Sequence, residues 1–279
     1  VTVSFDPGFL KVEQHSAKDA LPDATAIGRL RADALDVLIL HDVVEPQALV
    51  VLCDRLERNT AGFDVTEFPG PFRSFFYGRN LNLNTPDMDG YFATEPRFRA
   101  AMARLGEGIA LNLIARTSAV LSAFDNGRHY GAAPGPTAPE QHFFATLRGH
   151  LDGGYIPAHF DNEQSLRPSY RHIASQAQSD IFSYVLTLAT AEQGGQLELL
   201  NLRAADHAGD FRNSEGGRGA FDLTTVEKVA LPIPAGSMVL VNSGRLLHQV
   251  SRVEGARKRW TMCSFMALSA ATDEVLCWG

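Results

Sequence analysis

Residues 237–268 read SMVLVNSGRLLHQVSRVEGARKRWTMCSFMAL, and their phasing decides the fold. Three runs, SMVLVNS, LLHQVSRV and RWTMCSFMAL, are dense in Val, Leu, Met and aromatic residues, with Gly244 and Gly255 between them. Short apolar runs bounded by glycine are strands rather than helices. Toward the N-terminus five more follow the same rule: KVALPIP, GQLELLNLR, DIFSYVLTLA, IPAHF and HFFATLRGHL. Eight such strands over about 130 residues, with Gly and Pro in the turns, predict an antiparallel sandwich or barrel.

Upstream of a Pro-rich connector, AAPGPTAPE at 132–140, the character changes. The run 45–59 has helical spacing, with Leu49, Leu52, Cys53 and Leu56 on one face and Pro46 in the first turn, where proline is tolerated. A short element fits 30–35, and DVLILHDVV reads as a strand entering a turn. A longer helical pattern starts near Thr94 and runs to Phe124, with a break predicted at Gly106 and Gly108. Helices first and strands afterwards predict an α+β class, with N-terminal helices packed on one sheet. No linker divides the chain. One domain is expected over 1–279, with 1–135 as a mixed helical support and 136–279 as the core. The polar, Gly-containing stretch 204–218 has no period and is expected to be a loop beside the site.

His159 and Asp161 lie in and just after IPAHF, and residues two apart on a strand point the same way. His248 ends the run SMVLVNSGRLLH. Two imidazoles and one carboxylate on one face of an octahedral ion leave three positions open, the arrangement used by non-haem Fe(II) oxygenases. A bare HxD among nine histidines is also what surface or capped core histidines produce. The strand context, the 87 residues between Asp161 and His248, and an arginine beyond the second histidine favour the metal site.

That arginine is Arg259, which shares a strand face with Thr261, Cys263 and Phe265. A fixed guanidinium grips a carboxylate by two parallel hydrogen bonds, and Thr261 would add a hydroxyl. Arg257 and Lys258 compete for this role. Lys258 has the outward parity, and Arg257 falls in the turn after Gly255. Arg148 alternates with Thr146 and His150 on the strand before the metal strand and is a candidate for either the co-substrate or the substrate anion. Arg79, after Gly78, together with Arg167 and Arg203 completes the candidates for a substrate clamp. Each arginine alone also reads as a solvated charge. Phe76, Tyr77 and Phe265 are candidates for an apolar pocket, and also for core.

HFD, GGQLELLNL, PAGSMVLVNSGRLLHQVSRVEG and the closing arginine resemble the Fe(II)/2-oxoglutarate dioxygenase superfamily, whose core is a double-stranded β-helix, the cupin-like jelly roll. More narrowly, TPDMDGYFATEPRFRAA, ATLRGHLDGGYIPAHFDN, SYVLTLATAEQGGQLELLNLR and 234–267 are similar to two branches. One is the carrier-independent halogenases of hapalindole and welwitindolinone biosynthesis, and the other the β-hydroxylases of N-succinyl amino acids. The similar region covers about two thirds of the chain. The resemblance implies Fe(II), 2-oxoglutarate and O₂ as cofactors, with succinate and CO₂ released. It implies that Arg259 and Thr261 hold the distal carboxylate of 2-oxoglutarate. The halogenases carry glycine where this chain has Asp161, because chloride takes the carboxylate's place on the metal, so the resemblance implies a hydroxylase here. An N-succinyl amino acid, with two carboxylates, fits Gly78, Arg79, Arg167, Arg203 and Phe265 as its contacts.

Composition agrees with a globular enzyme: 45% hydrophobic, 20% charged, net charge −7. A negative balance argues against nucleic acid, and no apolar run reaches the ~18 residues a membrane span needs. Cys53, Cys263 and Cys277 form no CxxC pair and read as reduced thiols, and the first residues lack a signal-peptide pattern, so cytoplasm is expected. The partner is a small, anionic molecule, and a homodimer stays open. Two alternatives remain at this stage. One is hydroxylation of another metabolite, such as an alkaloid, a free amino acid or a nucleotide. The other is a non-catalytic metal-binding cupin-like module.

Overall fold

The computed structural model describes residues 6–68, 70–83, 87–162, 167–206 and 223–279. The chain begins with β1 (Val12–Ser16), α1 (Ala26–Arg31), β2 (Val37–His41), α2 (Pro46–Arg58), β3 (Val65–Glu67) and β4 (Ser74–Tyr77). Then come α3 (Met88–Leu105), α4 (Leu113–Ala123), β5 (Tyr130–Ala132), β6 (Thr146–His150), β7 (Ile156–His159), α5 (Arg171–Ala174) and β8 (Phe182–Ala189). The rest is strand: β9 (Gln193–Gly194), β10 (Leu197–Arg203), β11 (Lys228–Leu231), β12 (Met238–Val241), β13 (Leu246–Val250), β14 (Val253–Glu254), β15 (Arg259–Leu268) and β16 (Val275–Trp278). All eight expected runs contain a strand. The stretch expected as a loop at 204–218 lies, from 207 on, outside the described residues.

The helix expected at 45–59 is α2, with Pro46 in its first turn and Asn59 closing it in the left-handed region at φ 48°. The long helical pattern does break. The carbonyl oxygen of Leu111 would lie 1.5 Å from any Cβ at Gly106, so only glycine admits this turn. α3 starts six residues before Thr94, because Asp87 caps it by accepting from the Gly90 N–H at 3.0 Å.

Two larger sheets carry the molecule. The first has the order β1-β2-β12-β8-β15-β6-β4-β3, with β16 joined to β15 and β5. The second has the order β11-β10-β13-β7. Pairing within both is mostly antiparallel, with parallel exceptions at β1–β2 and β5–β16. From β6 onward the chain alternates between them: β6 in the large sheet, β7 in the small, β8 large, β10 and β11 small, β12 large, β13 small, β15 large. The first 135 residues do more than supply helices, because β1 to β5 all belong to the large sheet.

Alternation along β2 shows how the layers stack. Leu38 and Leu40 point to one side, where they join Leu52 and Leu56 of α2, Met102 of α3 and Leu121 of α4. Val37 and Ile39 point to the other, where they meet Val239 and Val241 of β12 and Leu197, Leu199 and Leu246 of the small sheet. Helices therefore cover one face of the large sheet and the small sheet covers the other. Each buried aliphatic side chain stabilises this by about 1.5–3 kcal/mol. No helix among the described residues is long and apolar enough to cross a membrane.

The apolar filling between the sheets is lopsided. It occupies the β2–β12–β8 half. Strand register carries the same inner face from Val185 of β8 to Cys263 of β15 and Thr146 of β6, and from Thr187 to Thr261, Arg148 and Phe76. The β15–β6–β4 half is thus lined by Arg259, Thr261, Arg148, His150 and Ser74 instead of aliphatic groups. A buried polar half of a sheet interior needs partners, and this is where the site lies.

Candidate metal centre and co-substrate pocket

His159 ends β7 and His248 lies in β13, and the two are direct cross-strand partners. Their rings are 4.3 Å apart between centroids. Asp161 is not placed by strand alternation, because β7 has ended. Its backbone N–H donates to the Ser243 carbonyl at 3.0 Å, which folds it back over the β12–β13 turn. One carboxylate oxygen then lies 3.4 Å from His159 Nε2 and the other 3.7 Å from His248 Nε2. His159 Nδ1 meets the Pro157 carbonyl at 2.8 Å and His248 Nδ1 the Leu246 carbonyl at 3.1 Å. A carbonyl cannot donate, so each Nδ1 carries the proton and each Nε2 lone pair is left for an ion.

Burial favours a neutral imidazole at His159, but the hydrogen bond and charge of Asp161 raise its pKa overall. Burial pushes His248 down to about 4, helped by the neighbouring His159. Asp161 is also buried, yet the two imidazoles hold its carboxyl below the usual range. Among the described residues no fourth His, Cys or carboxylate joins these three, so a closed structural zinc site is not formed. The donor set fits a divalent ion with open positions. A second cluster, Glu13, His15 and Asp23, is already served by Arg29, which donates to Glu13 and, at 2.8 Å, to Asp23.

Two guanidiniums face this centre. Arg259 is 6% exposed and, among the described residues, makes no ion pair or hydrogen bond. Burial lowers its pKa to about 10, so it stays charged at neutral pH. Arg148 is lowered to about 10 by burial and by the charge of Arg259. It sits against the adjoining rings of Phe68 and Phe76, 5.0 and 4.9 Å from centroids that are themselves 5.8 Å apart, and donates to Ser74 Oγ at 3.0 Å, while its Nε has no partner among the described residues. Its charge acts on His159 and on Cys263, and that of Asp161 also reaches Cys263, so these buried groups are near one another. Two buried cations with no carboxylate partner among the described residues form a site for an anion. Thr261, 1% exposed, is the register partner of Arg148.

The other arginines are placed differently. Arg257 gives Nε to the Thr190 carbonyl at 2.8 Å and Nη2 to the Ala191 carbonyl at 2.9 Å, holding the turn after β8. Lys258 points outward to Glu57. Arg203 pairs with Asp36 at 2.5 Å and Asp33 at 3.3 Å. Arg79 pairs with Asp87 at 2.7 Å, and Arg167 donates to the Asn82 carbonyl at 3.3 Å. Asn82 also accepts from Tyr170, a buried residue close enough to Asp161 to feel its charge. Asn82 therefore places Arg167 beside Tyr170, while Arg79 and Arg203 are each paired with carboxylates, Asp87 in one case and Asp33 and Asp36 in the other. Gly78, at φ +87°, is a packing glycine, since a Cβ there would meet Phe98 and Phe143 at 2.7 and 2.8 Å. Phe76 lines the pocket. Tyr77 is core, stacked on Phe63 and donating to the Leu56 carbonyl. Phe265 is half-buried on the inner face of β15.

Sequence reasoning passed over Ser74, Phe68 and His150 as site residues. His150 sits in register between Ser74 and Arg259, is fully buried, and has no partner at either ring nitrogen among the described residues. Burial and the two guanidinium charges push its pKa well down. His142, likewise buried with both nitrogens unpartnered, is lowered to about 3 by burial. Both are neutral in the fold, while the unfolded chain takes up protons below about 6.5. Stability is therefore present above that pH and lost as pH falls toward the folded values, at roughly 1.4 kcal/mol per pH unit for each histidine. Urea unfolding of the metal-free protein is expected to show a midpoint that falls steadily from pH 6.5 to 5. A flat profile over that range would mean these rings take up protons in the fold.

A family model described as the carrier-protein-independent halogenase WelO5 matches residues 9–279. No curated protein matches the chain by sequence. Among solved structures, the chain is similar to a novel N-substituted L-amino acid dioxygenase from Burkholderia ambifaria AMMD, at 17% identity and TM-score 0.55, with 92% of each chain covered. The same dioxygenase in complex with alpha-KG, that is 2-oxoglutarate, is matched at 17% identity and TM-score 0.52, over 92% of this chain and 91% of that one.

Proposed function

Because the chain belongs to the family of the carrier-protein-independent halogenase WelO5, and so to the Fe(II)/2-oxoglutarate-dependent oxygenases, we propose that it hydroxylates an aliphatic carbon of a small N-acyl amino acid, of which the N-succinyl type fits best. The observation that carries hydroxylation over halogenation is Asp161: its carboxylate faces both histidine Nε2 atoms and fills the position a halide would need. We read the two sheets, with the chain alternating between them, as a double-stranded β-helix, and 1–279 as one dioxygenase domain, since strands from both halves share a sheet.

His159, Asp161 and His248 would hold the iron. With 2-oxoglutarate and O₂, that iron supplies the oxidising chemistry that inserts oxygen into a C–H bond. The protein's part is placement. Arg259, with Thr261 beside it, takes the distal carboxylate of the keto acid. Arg148, set against Phe68 and Phe76 and donating to Ser74, adds a second fixed charge, and neutral His150 a further donor or acceptor. Arg79, released from Asp87, and Arg167, beside Asn82, would meet the anionic groups of the substrate.

The test is mass spectrometry of N-acyl amino acids incubated with enzyme, Fe(II) and 2-oxoglutarate. The expected product gains one oxygen, with one succinate released per turnover. A chlorinated product in chloride buffer would reverse the assignment, and no succinate across the panel would favour a binding module. Neutralising Arg79 and Arg167 together is expected to raise KM for a dianionic N-acyl substrate on the order of tenfold, about 1.4 kcal/mol. A neutral analogue is expected to change little, and equal effects on both would remove these two residues from the substrate clamp.

A further inference from the structure

A pocket of about 340 Å³, open to solvent past the exposed turn residues Thr190, Glu192, Gln193 and Gln196, lies at the end of the sheet interior away from the Asp161 turn. Its walls include Val185 and Thr187 of β8, Leu197 of β10 and Val239 of β12, with Ile233 near its mouth, and Arg259 borders it. Strand direction fixes its position. The start of β8 meets the turn that holds Asp161, through the Gly244 N–H and the Ile181 carbonyl, and its far end pairs with Trp260, next to Arg259. Arg259 thus stands between the keto-acid site and a space many times the ~30 Å³ share of one water molecule.

The two guanidiniums of the pocket differ in their freedom. Arg148 is held by two rings and Ser74. Arg259 has no hydrogen-bond partner among the described residues, and its stem lies flat on Gly195, where a Cβ would come within 2.9 Å of Arg259 Cδ. A charged head on a flexible stem, unanchored and with room behind it, follows the length of the anion it binds. In a closed pocket one extra methylene is discriminated against because the walls cannot move.

We propose that the keto-acid site is extensible: Arg259 withdraws into the cavity behind it, so that the enzyme binds 2-oxoadipate, one methylene longer, as well as 2-oxoglutarate. This rests on the reading of the chain as a 2-oxoglutarate-dependent oxygenase. Arg148 cannot follow, and sets the fixed side of the site. The cavity walls, not the metal ligands, set the upper limit of diacid length.

The test is anaerobic calorimetric titration of the iron-loaded enzyme with 2-oxoglutarate and with 2-oxoadipate. The expected result is dissociation constants within tenfold of each other, and a larger gap in favour of 2-oxoglutarate overturns the proposal. Val239→Phe, which fills the cavity from within, and Ile233→Trp, which fills it from the half-buried rim and spares the core, are expected to weaken 2-oxoadipate at least tenfold. Either is expected to leave 2-oxoglutarate within threefold. Equal weakening of both acids in the folded variants, or of neither, also overturns it. If 2-oxoglutarate itself does not bind the iron-loaded protein, the underlying reading fails first, which separates the two failures.

Discussion

Asp161→Ala is expected to abolish hydroxylation, with iron retention and succinate release both falling by at least the order of 100-fold. Loss of a residue that merely orients a metal ligand costs 10- to 100-fold, and a ligand's own loss exceeds that. The carboxylate is 1% exposed and stands against both imidazoles, so the two neutral nitrogens alone are left to hold the ion. The imidazoles change as well. The raised pKa of His159 depends on Asp161, and without that charge burial alone acts on the ring. Bound iron measured after desalting, alongside succinate, checks this, and unchanged hydroxylation in the variant would falsify the metal assignment. Asp161→Gly supplied with chloride is a sharper version, because it removes the carboxylate and leaves a place for a halide. It is expected to yield some chlorinated product, recognised by its isotope pattern.

The range of the interactions decides which of these residues the sequence displays. His159 and His248 could be paired on paper because each ends an apolar run, and period-two alternation is local information. The inward phase of Arg259, Thr261 and Cys263 came from the same source, and their register with Arg148 and Thr187 agrees with it. Asp161 reached the site for a reason the sequence does not display, a backbone hydrogen bond to Ser243 eighty-two positions away. Arg203 has the right parity and the right strand end. Its fate is decided by Asp33 and Asp36, which β2 and α1 bring alongside, and nothing in GQLELLNLR announces them. Of the first five strands only β2 was read, because β3 and β5 have three residues each and β1, β4 and β5 take their place through distant partners, β2, β6 and β16. Ser74 and Phe76 became pocket residues only when β4 docked on β6. Parity is read from neighbours, while partnership needs the sheet order.

Arg259→Met separates binding from stability in opposite directions. The methionine keeps an unbranched stem against Gly195 and removes the charge. Truncating one partner of a buried charge pair costs about 2–5 kcal/mol of binding, so 2-oxoglutarate affinity is expected to fall by a factor of roughly 30 or more. The free protein responds the other way. Arg259 is 6% exposed, has no counterion among the described residues, and burial already pulls its pKa down to about 10. An uncompensated buried charge destabilises the fold, so the variant without iron or keto acid is expected to unfold at higher urea than the wild type, by about 1 kcal/mol or more. Iron stabilises both proteins, because the triad is untouched, and 2-oxoglutarate at a hundredfold excess over the wild-type Kd adds about 2.7 kcal/mol to the wild type but only about 0.9 kcal/mol to a variant that binds it thirtyfold more weakly. The two stability orders therefore cross: the variant leads without ligands and the wild type leads with them. If Arg259 served only to hold the fold, the variant would be less stable under both conditions, and the missing crossing would show it.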